Sequence, residues 1–248
     1  MKLCPASPQD YAADLDKPVN IIIDDCFFSR SAITALYQQA GTPFDIIGLT
    51  DIHDFYRWRH EHSNRINSMM ISIHDRTSSI SEALATFLVA DLNTVGIAKS
   101  DVVLIVDALN HFMSISVRKL KIFNLLCGFD SLRNISSQLR EFVIKGTINP
   151  SFVTRCMMNS TRQQRKNAGE LSPAESLAIS SVLTGKGVKE FSKTYHGHYK
   201  TLYNQRLSAI KKLGMGSIHD IIKYRYFIDA LYLTEAAMLP GSYHEFYC

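Results

Sequence analysis

Five short apolar runs alternate with segments of helical periodicity between Val19 and Gly146, and this alternation restricts the fold more than any other feature of the chain. Val19–Ile23 is wholly apolar except for Asn20 and stops at Asp24-Asp25, as a strand buried on both faces does. Ser29–Ala40 follows, with Ile33, Leu36 and Tyr37 at helical spacing and Gly41 beyond its end. Phe44–Leu49, Ser68–Ile73, Val102–Val106 and Phe123–Cys127 are the other four expected strands. The segments between them, Asp54–Ser63, Ser79–Leu92 and Ser114–Leu120, are expected to be helical. Ser131–Ile144 is a further expected helix, with Leu132, Ile135, Leu139 and Val143 on one face and Gly146 closing it.

Strand–helix alternation of this kind calls for parallel βαβ units with right-handed crossovers, and hence for a doubly wound sheet. Five strands over residues 18–146 match an α/β domain of flavodoxin-like size. Residues 147–169 break the pattern. They hold Asn149, Pro150, Ser151 and the polar run Thr161–Asn167, the composition of an interdomain linker.

Beyond the linker, over 170–232, every signal is helical. Ser172 can cap a helix, Pro173 suits its first turn, and Glu175 stands where a capping box needs it. Leu171, Ala178, Ile179, Val182 and Leu183 continue at helical spacing to Gly185 or Gly187. Val188–Tyr195 is a short helix, His196-Gly197-His198 a tight turn, and Tyr199–Leu213 a longer basic helix ended by Gly214. Ser217 caps a last helix through Ile221 and Ile222 towards Tyr226. Two helices joined by a tight turn, the second longer and basic, form a helix-turn-helix whose second helix enters the DNA major groove. Leu202, Ile210 and Leu213 then face the bundle, and Tyr203, Asn204 and Leu207 face the groove. Lys200, Thr201, Gln205, Arg206, Lys211 and Lys212 remain for the phosphate backbone, with Lys189 on the preceding helix. Asn204 is the strongest hydrogen-bonding base reader among them and suits adenine.

Charge agrees with this division. From Ser160 to Tyr226 twelve basic side chains face four acidic ones, a local net charge of +8 that leaves −4 for the rest of the chain. A basic module joined to an acidic one is the electrostatic footprint of a polyanion binder with a regulatory partner domain. Other classes find no support. No run approaches the roughly 18 apolar residues of a membrane helix, and Met1–Lys17 lacks the apolar stretch of a secretory signal. A cytoplasmic protein is therefore expected. The five cysteines, Cys4, Cys26, Cys127, Cys156 and Cys248, are too dispersed for a zinc site or a disulfide framework. His196 and His198 have no cysteine or carboxylate beside them, so they are read as turn residues. No catalytic cluster, cofactor or dedicated metal site is expected.

The segments LSPAES, GKGVKEFSK, YKTLYNQRLSAIKKLGM and SIHDII, in this order and spacing, resemble the LuxR/FixJ-type helix-turn-helix. The resemblance rests on Leu171, Ser172, Glu175, Gly185, Lys189, Glu190, Phe191, Lys200, Thr201, Leu202, Lys211, Lys212, Leu213 and Gly214. It implies phosphate contacts from Lys200, Thr201 and Lys212 and base reading at Tyr203, Asn204 and Leu207. The chain departs from the family where His198-Tyr199 replace a usual Ser-Pro, and at Gln205, where a His is common.

The first half in turn resembles a response-regulator receiver. Asp24 and Asp25 match the acidic pair that binds Mg²⁺ in a working receiver. Asp75 lies just past the third strand as the candidate phosphoacceptor, with Ile73-His74 intervening. Asp107 stands where the family has Ser or Thr after the fourth strand, and Cys127 where it has Lys after the fifth. An anionic Asp107 would repel a phosphorylated aspartate, and Cys127 supplies no cation. The pocket of Asp24, Asp25, Asp75, Asp107 and Cys127 is therefore expected to be degenerate, as in the RcsA/BglJ-like group.

Together these features imply a DNA-binding transcription regulator that is not an enzyme. It is expected to bind double-stranded promoter DNA and to be controlled by abundance, or by homo- or heterodimerisation with another LuxR-type regulator, rather than by phosphorylation. The apolar residues Ile221, Ile222, Tyr224, Phe227, Ile228 and Leu231 within Ser217–Tyr232 are a partner surface or pack against the first half. Two alternatives remain: an adaptor that tunes a partner without reading DNA, and a receiver that still accepts phosphate.

Overall fold

A computed structural model describes residues 17–74, 81–106, 111–128, 130–149, 170–194 and 198–233. Five parallel strands, β1 (Val19–Ile23), β2 (Asp45–Leu49), β3 (Ile66–Ile73), β4 (Val102–Val106) and β5 (Asn124–Cys127), form one sheet in the order β2-β1-β3-β4-β5. This is the flavodoxin-like topology expected from the alternation. Burial explains the composition. All five residues of β1 and of β4 are buried, whereas β2, at the edge, has no buried residue.

The helices of the first half are α1 (Phe27–Gln39), α2 (Ile52–Glu61), α3 (Glu82–Thr86), α4 (His111–Leu120) and α5 (Leu132–Lys145). α3 runs on through a π-helical turn, Phe87–Asp91, into Leu92–Thr94. Local chemistry sets their ends. Asp51, Ser81 and Ser131 cap α2, α3 and α5 by accepting from Asp54, Leu84 and Asn134 N–H. Gly146 ends α5 at φ 70°, a left-handed position that glycine adopts without strain. Phe123, expected in β5, lies before that strand and is exposed, while Ile122 beside it is fully buried.

In the C-terminal part, α6 (Pro173–Leu183) begins with the full Ser172–Glu175 capping box, and α7 (Val188–Thr194) and α8 (Tyr199–Lys212) follow. α9 (Ile218–Lys223) carries a second capping box, between Ser217 and Asp220. The expected single last helix is interrupted at Tyr224. It resumes as α10 (Arg225–Ile228) and a π-helical turn, Asp229–Leu233. α6 packs against α8 and α9, and α7 against α8.

The described residues divide into two compact units. One holds 17–74, 90–106, 122–128 and 130–149, and so contains the whole sheet with α1, α2 and α5. The other holds 81–89, 111–121, 170–194 and 198–233, and so groups α3 and α4 with the C-terminal helices. Within this second unit the Phe112 ring packs 4.8 Å from that of Tyr224, and the Lys119 ammonium sits 4.2 Å above the Tyr232 ring. Most of the face expected to meet a partner is thereby consumed. Ile221, Tyr224, Phe227 and Ile228 are buried within the chain, leaving Ile218 and Ile222 as its exposed large aliphatics. No helix among the described residues is long and apolar enough to cross a membrane.

Candidate nucleic-acid interface

The helix-turn-helix is built around one buried carboxylate. Glu175 is 4% exposed, yet it must stay in α6 because its Oε2 accepts the Ser172 N–H of the capping box at 2.8 Å. The rest of its capacity is met from α8: Ser208 Oγ donates to Oε1 at 2.7 Å, and Lys212 Nζ lies 2.7 Å from Oε2. Burial alone would raise this carboxyl, but the Lys212 ammonium, the Ser172 N–H and the Ser208 hydroxyl outweigh it and hold it down at about 2. One side chain thus caps α6 and fixes the rotation of α8.

Arg206 fixes α8 a second time, and here the expectation from sequence fails. Helical spacing assigns it to the phosphate-facing side, but it is 7% exposed, and its Nη2 donates to Ser181 Oγ at 2.7 Å. Its Nε is buried with no hydrogen-bond partner. Burial pulls the guanidinium's pKa down. Helical geometry gives the reason: Arg206 shares its face with Ala209, Ile210 and Leu213, all buried against the bundle. Lys212 is the second departure, since it is half-buried and committed to Glu175.

The opposite face of α8 is open. Lys200, Thr201, Tyr203, Asn204, Leu207 and Lys211 are exposed, as is Lys189 on α7, while Gln205 is half-buried. Tyr203 and Leu207 keep 49% and 39% of their surface, which for large apolar side chains at one helical spacing makes a surface able to meet bases. His198 precedes α8 without capping it by a side-chain bond and stacks on Tyr199. Tyr195, His196 and Gly197 lie outside the described residues.

A second cluster lies where the carboxyl ends of the strands meet. Register pairs Ile23 with Leu49 and Ile71, and Ile73 with Val106, so the residues after β1 and β3 come together at the point where strand order reverses. Asp24 is fully buried there. Its Oδ1 accepts the Cys26 N–H at 2.8 Å and lies 3.0 Å from His74 Nε2, while Oδ2 accepts the Ser29 hydroxyl at 2.6 Å. His74 Nε2 is also 3.6 Å from Asp25 Oδ1. Burial raises the Asp24 carboxyl, but the hydrogen bonds, led by that from Ser29, win and set it below the usual aspartate range. The expected pocket contained Asp24 and Asp25 but not His74. The signal was present in strand parity: Ser72 and His74 share the side of β3 that the register aligns with Asp24. Cys127, at the end of β5, is a half-buried cysteine. Asp75 and Asp107 lie outside the described residues.

No family model and no curated protein sequence matches the chain. Solved structures do. RcsB from Salmonella enterica serovar Typhimurium, bound to promoter DNA in the presence of a phosphomimetic, is similar with a TM-score of 0.62 at 18% identity, over 85% of this chain and 97% of that one. A structure of two RcsB dimers on two parallel DNAs gives 0.60 at 17% identity, over 86% and 99%. An RcsB–DNA complex described as a two-component response regulator gives 0.57 at 18%, over 85% and 97%. The likeness is one of fold: over most of its length this chain has the receiver-type sheet and C-terminal helical region of RcsB.

Proposed function

We propose that the chain is a DNA-binding transcription regulator that reads double-stranded promoter DNA through α8. The observation that carries this is the division of α8 into a locked face and an open one. Glu175 and Ser181 hold Lys212, Ser208 and Arg206, while Lys200, Thr201, Tyr203, Asn204, Leu207 and Lys211 project outward. Outward basic residues serve phosphates without regard to sequence, and Asn204 can pair bidentately with adenine. The RcsB structures of the same fold were solved on DNA, which supports the reading.

Control is proposed to be independent of phosphorylation. Cys127 offers no cation at the end of β5, and the sequence sets an anionic Asp107 directly after β4. Dimerisation, with a second copy or with another regulator of this kind, is the proposed alternative means of control. The exposed Ile218 and Ile222 on α9 favour such a contact. An adaptor role without DNA reading rests on that same surface.

Selection of bound duplexes from a random oligonucleotide pool, followed by gel shifts at graded salt, tests the proposal. Enrichment of one motif with a steep loss of affinity as salt rises is expected. Retention of no duplex above background at low salt would leave the adaptor role.

A further inference from the structure

A working receiver holds Mg²⁺ between its acidic residues, and the residues here do not fit that ion. Magnesium requires hard oxygen donors in near-octahedral array and keeps several waters. The Asp24 carboxylate already takes the Cys26 N–H and the Ser29 hydroxyl, and the His74 ring nitrogen stands 3.0 Å from its Oδ1 and 3.6 Å from Asp25 Oδ1. The ligand atoms of Asp24, Asp25 and His74 all lie within 4.8 Å of one another, so the third donor facing the two carboxylates is an imidazole nitrogen and not the hard oxygen that magnesium prefers.

We propose that His74 replaces the divalent cation of this pocket, bridging Asp24 and Asp25 from within the chain and closing the site to Mg²⁺. Two carboxylates this close repel each other and need a positive or hydrogen-donating group between them. A metal supplies it reversibly, so that pocket structure follows metal and phosphate supply. A side chain supplies it permanently. The Asp24 main chain is held as well, since the Arg30 guanidinium donates to its carbonyl oxygen. The bridge also joins β1 to β3 at the strand-order switch, pinning the carboxyl end of the sheet without a ligand. The inference deepens the phosphorylation-independent part of the proposed function and does not depend on DNA binding: a failed gel shift leaves it intact, and metal uptake sinks it alone.

The full chain is titrated with MnCl₂, a magnesium surrogate, while free Mn²⁺ is followed by electron paramagnetic resonance. The wild type is expected to take up no Mn²⁺ at millimolar concentrations. His74→Asp, which substitutes a third hard oxygen ligand, is expected to gain at least about tenfold in Mn²⁺ affinity. In parallel, long-range ¹H–¹⁵N spectra of the wild type should show His74 Nε2 protonated and hydrogen-bonded, unchanged on adding MgCl₂ or ZnCl₂. This second measurement decides the matter even if His74→Asp does not fold. Saturable Mn²⁺ uptake by the wild type, or Zn²⁺ binding that His74→Gln abolishes, would show His74 to be a metal ligand or a bystander and overturn the proposal.

Discussion

Lys212 Nζ lies 2.7 Å from Glu175 Oε2, so a lysine of the kind expected to grip DNA instead ties α8 to α6 behind it. The pair is asymmetric, with a Glu175 side chain 5% exposed and a Lys212 side chain 31% exposed. Removing the buried partner should therefore cost more than removing the accessible one. Glu175→Ala is expected to lose about 3 kcal/mol, from the capping box and the ion pair together, in urea unfolding. Lys212→Met should lose less, because Ser208 and Ser172 still donate to the carboxylate.

The same carboxylate predicts a pH dependence. Glu175 is held at about 2 in the folded chain against an ordinary 4.5, so its stabilisation is fully present above the unfolded value. It is lost as pH falls from about 5 towards 2, amounting to about 3 kcal/mol. Urea midpoints measured between pH 6 and pH 3 should fall for the wild type and fall visibly less for Glu175→Gln; parallel curves would refute the assignment.

Arg206 separates a structural cation from a DNA-binding one. Its single described side-chain bond is to Ser181 Oγ, which also donates to the Ala178 carbonyl, so Ser181 stays satisfied without it. Arg206→Met is expected to fold with stability within about 1 kcal/mol of wild type or above it, since a buried charge is often replaced by an apolar isostere at no loss. Its DNA binding should keep the wild-type salt slope, whereas a phosphate contact would reduce that slope by about 1.

Lys200, Lys211 and Asn204 should behave in the opposite way. Lys200→Ala and Lys211→Ala are each expected to lower the salt slope by about 1 while leaving the preferred motif intact. Asn204→Ala should relax the motif at one position, by about 1–3 kcal/mol, with the slope unchanged. Melting temperatures should move little, because all three are exposed. A motif indifferent to Asn204→Ala would remove that residue from base reading.

Ile222 tests the partner surface. It is 49% exposed on α9 while Ile221 beside it is fully buried. Ile222→Glu should leave the unfolding midpoint unchanged and shift sedimentation towards monomer. A dimer of undiminished affinity would place the contact elsewhere.

The strand–helix alternation, the capping box at Ser172, the cap at Ser217 and the glycine that ends α5 were legible in the chain because each depends on residues close in sequence. Apolar runs specify strands, a serine and an acid three residues apart specify a helix start, and Gly146 accommodates the left-handed turn. The open face of α8 was legible for the same reason, as helical spacing assigns Tyr203, Asn204 and Leu207 to one side. The face of Arg206 was not, because a side chain long enough to snorkel is assigned by what packs over it, and Ser181 and α6 arrive from elsewhere in the chain. The packing of Tyr224 depended likewise on Phe112, distant in sequence. His74 shows the limit most clearly. Its place beside Asp24 follows from the pairing of β1 with β3, 48 residues apart at Ile23 and Ile71. Local sequence determined most of the elements, several of their caps and the exposed face of α8. Tertiary structure alone decided which charges are spent inside the protein, because burial and pairing depend on partners that only the folded chain brings together.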